Sequence, residues 1–198
     1  MKSLKILISL LVVFVLLILS FNFLLNSDNF FQEQLSKHGS YARVGNAEEI
    51  NKAVVDYLML ETNELQVGGF NEREVSHLAD VKRIVWQLNN LMIAMFFLLT
   101  ALLAFLVKRV GGFRTLCWEI SKTSLIILFV MAVFSILSFS FLFTGFHQVF
   151  FDSGTWLFNK DDLLIKLYPI GFFKEFFQNI LILTVLYNLL LLVFSKTK

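Results

Sequence analysis

Four apolar runs constrain this chain more than anything else in it: residues 6–25, 88–107, 123–143 and 172–194. A helix needs about 20 such residues to cross the hydrocarbon of a bilayer. The first three runs carry no charged side chain, and the fourth carries only Lys174 and Glu175. Backbone amides in hydrocarbon have no water to bond, so an apolar run of this length is stable there as a helix. Composition agrees: 57% hydrophobic and 16% charged residues are too apolar a mixture for an ordinary soluble domain. The expected fold is an all-α integral membrane protein, with four transmembrane helices and a small, mainly helical extracytoplasmic cap.

The start of the chain imitates a secretory signal, with Lys2 and Lys5 ahead of an apolar stretch. That stretch is longer than a signal core of about 7–15 residues, and no small-x-small cleavage site follows it. It reads as an uncleaved first membrane helix, residues 1–25. Basic residues then orient the chain in the cell membrane. The 108–122 connection holds Lys108, Arg109, Arg114 and Lys122 against Glu119 alone, and Lys196 and Lys198 close the C-terminus. Lys and Arg in short flanking loops mark the cytoplasmic side. Both termini and 108–122 are therefore expected inside, and 26–87 and 144–171 outside, with 172–198 as the last helix and tail. The net charge of +2 is mostly this orientation signal, and no nucleic-acid signature is present. The single cysteine, Cys117, excludes an internal disulfide.

The first outer segment has its own patterning. In "NAEEINKAVVDYLML", Asn46 and Glu49 form a capping-box variant, and Ile50, Ala53, Val54, Tyr57 and Leu58 fall on one helical face. "QVGGF" ends that helix. "NEREVSHLADVKRIVWQL" begins another, with Asn71 as cap and Glu74 three residues on; its apolar stripe is Val75, Leu78, Val81, Ile84 and Val85. Residues 26–45 show weak patterning, read as short strands or a loop. In the second outer segment Pro169, the only proline, suits the first turn of the last helix. Phe146, Phe150, Phe151, Trp156, Phe158, Tyr168, Phe172 and Phe173 read either as an interfacial aromatic belt or as the lining of an acyl-chain groove.

His77 and His147 fall one in each outer segment, with acids close by: Glu74 and Asp80 around the first, Asp152, Asp161 and Asp162 after the second. Imidazole titrates near neutral pH, so two histidines with neighbouring carboxylates permit acid–base chemistry. Histidines near a membrane surface also serve as anchors or hydrogen-bonded packing residues, and both readings stand at this point. His38, in the polar segment, reads as structural or solvent-exposed. There is no H-E-x-x-H motif, no G-x-S-x-G elbow and no phosphate-binding glycine loop; the pairs at 68–69 and 111–112 lack its context. A di-metal site in a four-helix bundle needs two Glu-x-x-His pairs plus two further glutamates, and only Glu74 to His77 is present; a single-metal site of His77, His147 and a carboxylate stays open, and no cofactor is expected. A nucleophile supplied by the substrate is the simplest catalytic reading.

Two segments, "FNEREVSHLADVK" (70–82) and "FHQVFFDSGTWLFNKDDLLIKLYPIGFF" (146–173), resemble the signature segments of the lipoprotein intramolecular transacylase (Lit) family of Gram-positive bacteria. The layout, with a long outer segment after the first helix and a shorter one after the third, resembles it too. The resemblance implies a diacylglyceryl lipoprotein substrate whose sn-2 acyl chain moves to the α-amino group of its own N-terminal cysteine, giving the lyso form. It implies His77 and His147 as the catalytic histidines, with Asp152, Trp156, Asp161, Tyr168 and Pro169 matching the family's aromatic and acidic positions. Glu74, Asp80 and Asp152 are candidate supporting groups, with Asp152 foremost to fix an imidazole tautomer. A lipid esterase or metal-assisted hydrolase using the same histidines, and a non-catalytic scaffold, are the competing readings. One geometric condition follows. From His77 to Leu88 a straight helix rises about 16 Å, so pairing with a surface-level His147 requires a bend near "WQLNN" or a helix lying along the interface.

Overall fold

The computed structural model describes every residue except 1, 108, 110, 111, 197 and 198. The orientation signals expected of Lys108 and Lys198, and Gly111 of the second glycine pair, lie outside the described residues, as does the side chain of Lys2. The described residues form α1 (Lys2–Leu25), α2 (Asp28–Lys37), α3 (Ser40–Arg43), α4 (Ala47–Leu58), α5 (Glu72–Val107), α6 (Phe113–Phe150), α7 (Leu163–Leu167) and α8 (Ile170–Lys196). No strand occurs among them. Each of the four apolar runs lies inside one of the long helices α1, α5, α6 and α8, which are long and apolar enough to cross a membrane.

The chain divides into two compact units. The first comprises Met1–Asn22, Asn89–Leu137 and Gln178–Lys198, the apolar lengths of the four long helices. Its core includes Ile8, Val12, Leu106, Leu116 and Ile120. Small hydroxyls and amides lie buried between its helices. Ser9 Oγ donates to the Lys5 carbonyl at 2.9 Å, Ser20 Oγ bonds Thr184 Oγ1 at 2.9 Å, and Asn188 Nδ2 donates to the Ser121 carbonyl at 2.9 Å. Lys5 pairs with Glu119. Apolar side chains such as Phe97, Ile126, Phe129, Leu137 and Leu190 point outward. Large apolar residues outside and small polar ones between helices is the arrangement hydrocarbon favours.

The second unit comprises Phe23–Leu88 and Ser138–Phe177. The segment expected as strands or loop is instead helical. Ser27 Oγ caps α2 by accepting the Phe30 amide at 3.3 Å, and Phe30, Phe31, Gln34 and Leu35 form its buried face. That i, i+1, i+4, i+5 spacing is a helical signal diluted by its polar neighbours. Helix α4 begins after Asn46 as expected and buries Ile50, Val54, Tyr57 and Leu58, but the Asn46 side chain makes no cap bond. The expected stripe of α5 is displaced: Leu78, Ile84 and Val85 are buried, whereas Val75 is exposed and Glu74 and His77 take its place inside. Glu74 buries because backbone amides saturate its carboxylate, as described below. Ser40 Oγ donates to the Leu167 carbonyl (2.7 Å), tying α3 to α7, and Phe31 stacks on Phe172 of α8 at 5.8 Å. His38 is the C-cap of α2, its ring 3.5 Å from Glu175 and against Gly171, so it is structural.

Candidate functional site

The site lies within the second unit, where the first turns of α5 carry His77 and the last turn of α6 carries His147. Helix α5 runs continuously through Trp86–Asn90. Helix α6 continues past Phe143, through His147, to Phe150. Its one non-helical residue is Ser138 (φ −142°, ψ 36°), three residues after Ser135, whose Oγ donates back to the Ala132 carbonyl. Hydroxyls that bond back along a helix often bend it. His147 therefore stands in the last turn of a helix that runs on past the apolar run.

The two imidazoles stack, with centroids 6.1 Å apart and planes inclined by 17°. His147 Nδ1 lies 2.7 Å from the Phe143 carbonyl. A carbonyl only accepts, so Nδ1 carries the proton and Nε2 of the neutral ring keeps the lone pair. His77 is buried, and its Nδ1 has no hydrogen-bond partner among the described residues.

Aromatic rings enclose the pair. Phe151 contacts both, 4.6 Å from His77 and 5.2 Å from His147; Phe158 lies 5.3 Å from His77. Trp156, Phe143 and Phe146 lie 4.8, 4.2 and 5.5 Å from His147. The aromatic positions thus divide: Phe151, Tyr168 and Phe172 are buried, while Phe146 and Phe150 remain exposed. Burial disfavours the charged imidazolium. It holds His77 down from its usual 6.5 to about 4, with the charge on His147 acting in the same direction. Burial also lowers His147, opposed by its bond to the Phe143 carbonyl. Both residues lie outside the apolar spans 88–107 and 123–143.

Of the supporting candidates, Trp156 packs against His147, and Glu74 lies buried one turn before His77 on α5. Glu74 and Asn71 form the expected capping box: Asn71 Oδ1 accepts the Glu74 amide at 3.1 Å, and Glu74 Oε2 accepts the Asn71 amide at 2.8 Å. Asp80 instead bonds the Arg83 guanidinium at 2.7 Å. Asp152 and Asp161 are exposed. Among the described residues no hydrogen bond joins Asp152 to either imidazole, and the Phe143 carbonyl holds the tautomer that Asp152 was expected to fix. Tyr168 is buried and donates to Asn51 Oδ1 at 2.8 Å, a packing role that ties α4 to the approach to α8. Pro169 directly precedes α8. Among the described residues no three His, Cys, Asp or Glu side chains gather as a metal site needs. The Phe143 carbonyl is the partner that sequence reading missed. Its only signal is the i−4 spacing to His147, visible once 143–147 is taken as helix.

The sequence matches the family described as "Lipoprotein intramolecular transacylase Lit" over residues 6–173. An uncharacterised protein of Aquifex aeolicus (strain VF5) is 32% identical over 130 residues, 62% of this chain and 55% of that protein. The chain thus spans little more than half the length of that relative. The in meso structure of the membrane integral lipoprotein intramolecular transacylase Lit from Bacillus cereus superposes with a TM-score of 0.81 at 16% identity, covering 98% of this chain and 93% of that one. Two structures of the same protein with one histidine replaced, by arginine or by alanine, give 0.80 and 0.79. At that identity these superpositions show the fold. The match over 6–173 takes in both histidines and every segment that holds them, and by it the chain belongs to the lipoprotein intramolecular transacylase family.

Proposed function

We propose that this chain is an intramolecular acyltransferase that moves the sn-2 acyl chain of a diacylglyceryl lipoprotein to the α-amino group of its N-terminal cysteine. The observation that carries this reading is the stacked imidazole pair in its aromatic enclosure, one ring held in a defined tautomer and both kept neutral. A neutral His147 Nε2 takes a proton from the attacking amine as its nitrogen bonds the ester carbonyl carbon. The same nitrogen returns the proton to the glyceryl oxygen as the C–O bond breaks. His77 stands beside it to hydrogen-bond the developing oxyanion. Amine and ester arrive on one molecule, which removes much of the entropic cost of bringing them together. Exchange of an ester for an amide calls for no nucleotide. Trp156 and the phenylalanines bound an apolar approach suited to acyl chains of a substrate embedded among membrane lipids. Both termini face the cytoplasm in this reading, and segments 26–87 and 144–171 face outward, where such a substrate presents its headgroup.

The test is mass spectrometry of a diacylglyceryl lipoprotein co-produced with the protein, and with His147→Ala and His77→Ala variants of verified abundance. The wild type should yield lyso-form lipoprotein, and each variant should lower that yield by about 10²–10⁴-fold, the usual contribution of general acid–base catalysis. Release of free fatty acid without N-acylation would make the protein a hydrolase. A lipoprotein left diacylated by the wild type would overturn the proposal.

A further inference from the structure

Glu74 is almost fully buried one turn before His77 on α5, and its two oxygens have different partners. Oε2 accepts the Asn71 amide at the start of α5, while Oε1 accepts the Leu164 amide at the start of α7, at 2.7 Å. Leu164 follows residues 151–162, which bring Trp156 against His147 and Phe158 against His77. Two further bonds tie those residues to the first turn of α5: Arg73 Nη2 to the Leu157 carbonyl, and Asn71 Nδ2 to Asp162 Oδ1 at 3.2 Å. The Arg73 guanidinium also lies 5.6 Å over the Phe158 ring. A carboxylate is costly to bury unless charge-assisted hydrogen bonds meet both oxygens. Here both are met by backbone amides, one from each side of the site.

We propose that Glu74 is a positioning residue for the transacylation site, holding the 151–162 segment over the two imidazoles by bridging the starts of α5 and α7; this rests on the function proposed above. A glutamine keeps the shape but sets an NH2 donor against one of the two backbone donors, so one anchor is lost. Water then reaches the pair and relieves the burial that holds both imidazoles down.

The experiment compares wild type and Glu74→Gln in lipoprotein co-expression and in histidine NMR titration in detergent micelles, with signals assigned through the His77→Ala and His147→Ala variants. The expected result is a folded variant with lyso-form yield down about 10–100-fold, the usual cost of slight misplacement, and imidazole titrations raised by about one unit or more. A folded Glu74→Gln protein with wild-type yield, or with both titrations unmoved, overturns the proposal. If that variant does not fold, Glu74→Asp, one methylene shorter, is read by the same criteria. Hydrogen exchange of the wild type adds a check, since the Leu164 amide should exchange slowly and fast exchange overturns the role. Should the wild type make no lyso form, the functional reading falls, while titration and exchange still decide Glu74.

Discussion

Burial and mutual charge act on His77 in the same sense, and the consequence is a pH dependence with a definite sign. Its value falls from 6.5 to about 4 in the folded chain, so between these limits the unfolded chain binds a proton that the folded one refuses. The linked stability is complete above pH 6.5 and lost as pH falls towards 4. Thermal unfolding in detergent should show a midpoint that drops across this window, and His77→Gln should drop less; equal slopes would contradict the burial. Activity should follow a different group. With both imidazoles already neutral at pH 7, the proton to be removed is on the substrate amine, whose ordinary value is about 7.7–8.0. The initial rate of N-acylation should climb from pH 6 to 8 with its midpoint in that alkaline range. A midpoint near 6.5 would mean that an imidazole of ordinary basicity limits the reaction.

Between elements, close approaches distinguish two helical glycines that sequence alone treats alike. At Gly171, in the first turn of α8, an added Cβ would meet His38 Cε1 at 2.8 Å and Nδ1 at 3.0 Å. At Gly145, in α6, it would meet nothing within 4 Å. Gly171→Ala forces the C-cap of α2 away from α8 and should cost about 1–3 kcal/mol, as overpacking does. Gly145→Ala removes backbone freedom from a helix and should stabilise by about 0.5–1 kcal/mol. Thermal or denaturant unfolding of the two variants in one detergent should move them in opposite directions. Existence and type of the long helices were legible because a run of about 20 apolar residues has one stable form in hydrocarbon. The extension of α6 to Phe150 was not, because hydropathy marks where an apolar run stops and helix propensity continues beyond it. The non-helical backbone at Ser138 was hidden too, since α6 carries serines at 121, 124 and 135 as well and nothing local singles out 138.

On the scale of the whole molecule, charge predicts which side each segment faces. Arg109 lies in the connection between α5 and α6, and Arg114 and Lys122 lie in the first turns of α6, while 26–87 carries more acids than bases. With Cys117 replaced by serine, Gln66→Cys should react with a membrane-impermeant maleimide on intact cells, and Thr115→Cys only after permeabilisation. Both side chains are exposed, so access reports the side of the membrane and not burial. The reverse pattern would invert the chain and place the histidine pair in the cytoplasm, away from a lipoprotein in the outer leaflet.

By itself the sequence determined the helical membrane class, the capping box at Asn71 and Glu74, and the two histidines worth pairing, because hydropathy, cap spacing and residue chemistry are local properties. It also pointed to the family through two contiguous segments. Only the tertiary structure decided that the rings stack, that a main-chain carbonyl and not Asp152 holds His147, that Asp80 turns to Arg83, and that Glu74 reaches Leu164. Those outcomes depend on which groups lie within about 3 Å of each other in space, a matter set by the packing of helices far apart in the chain.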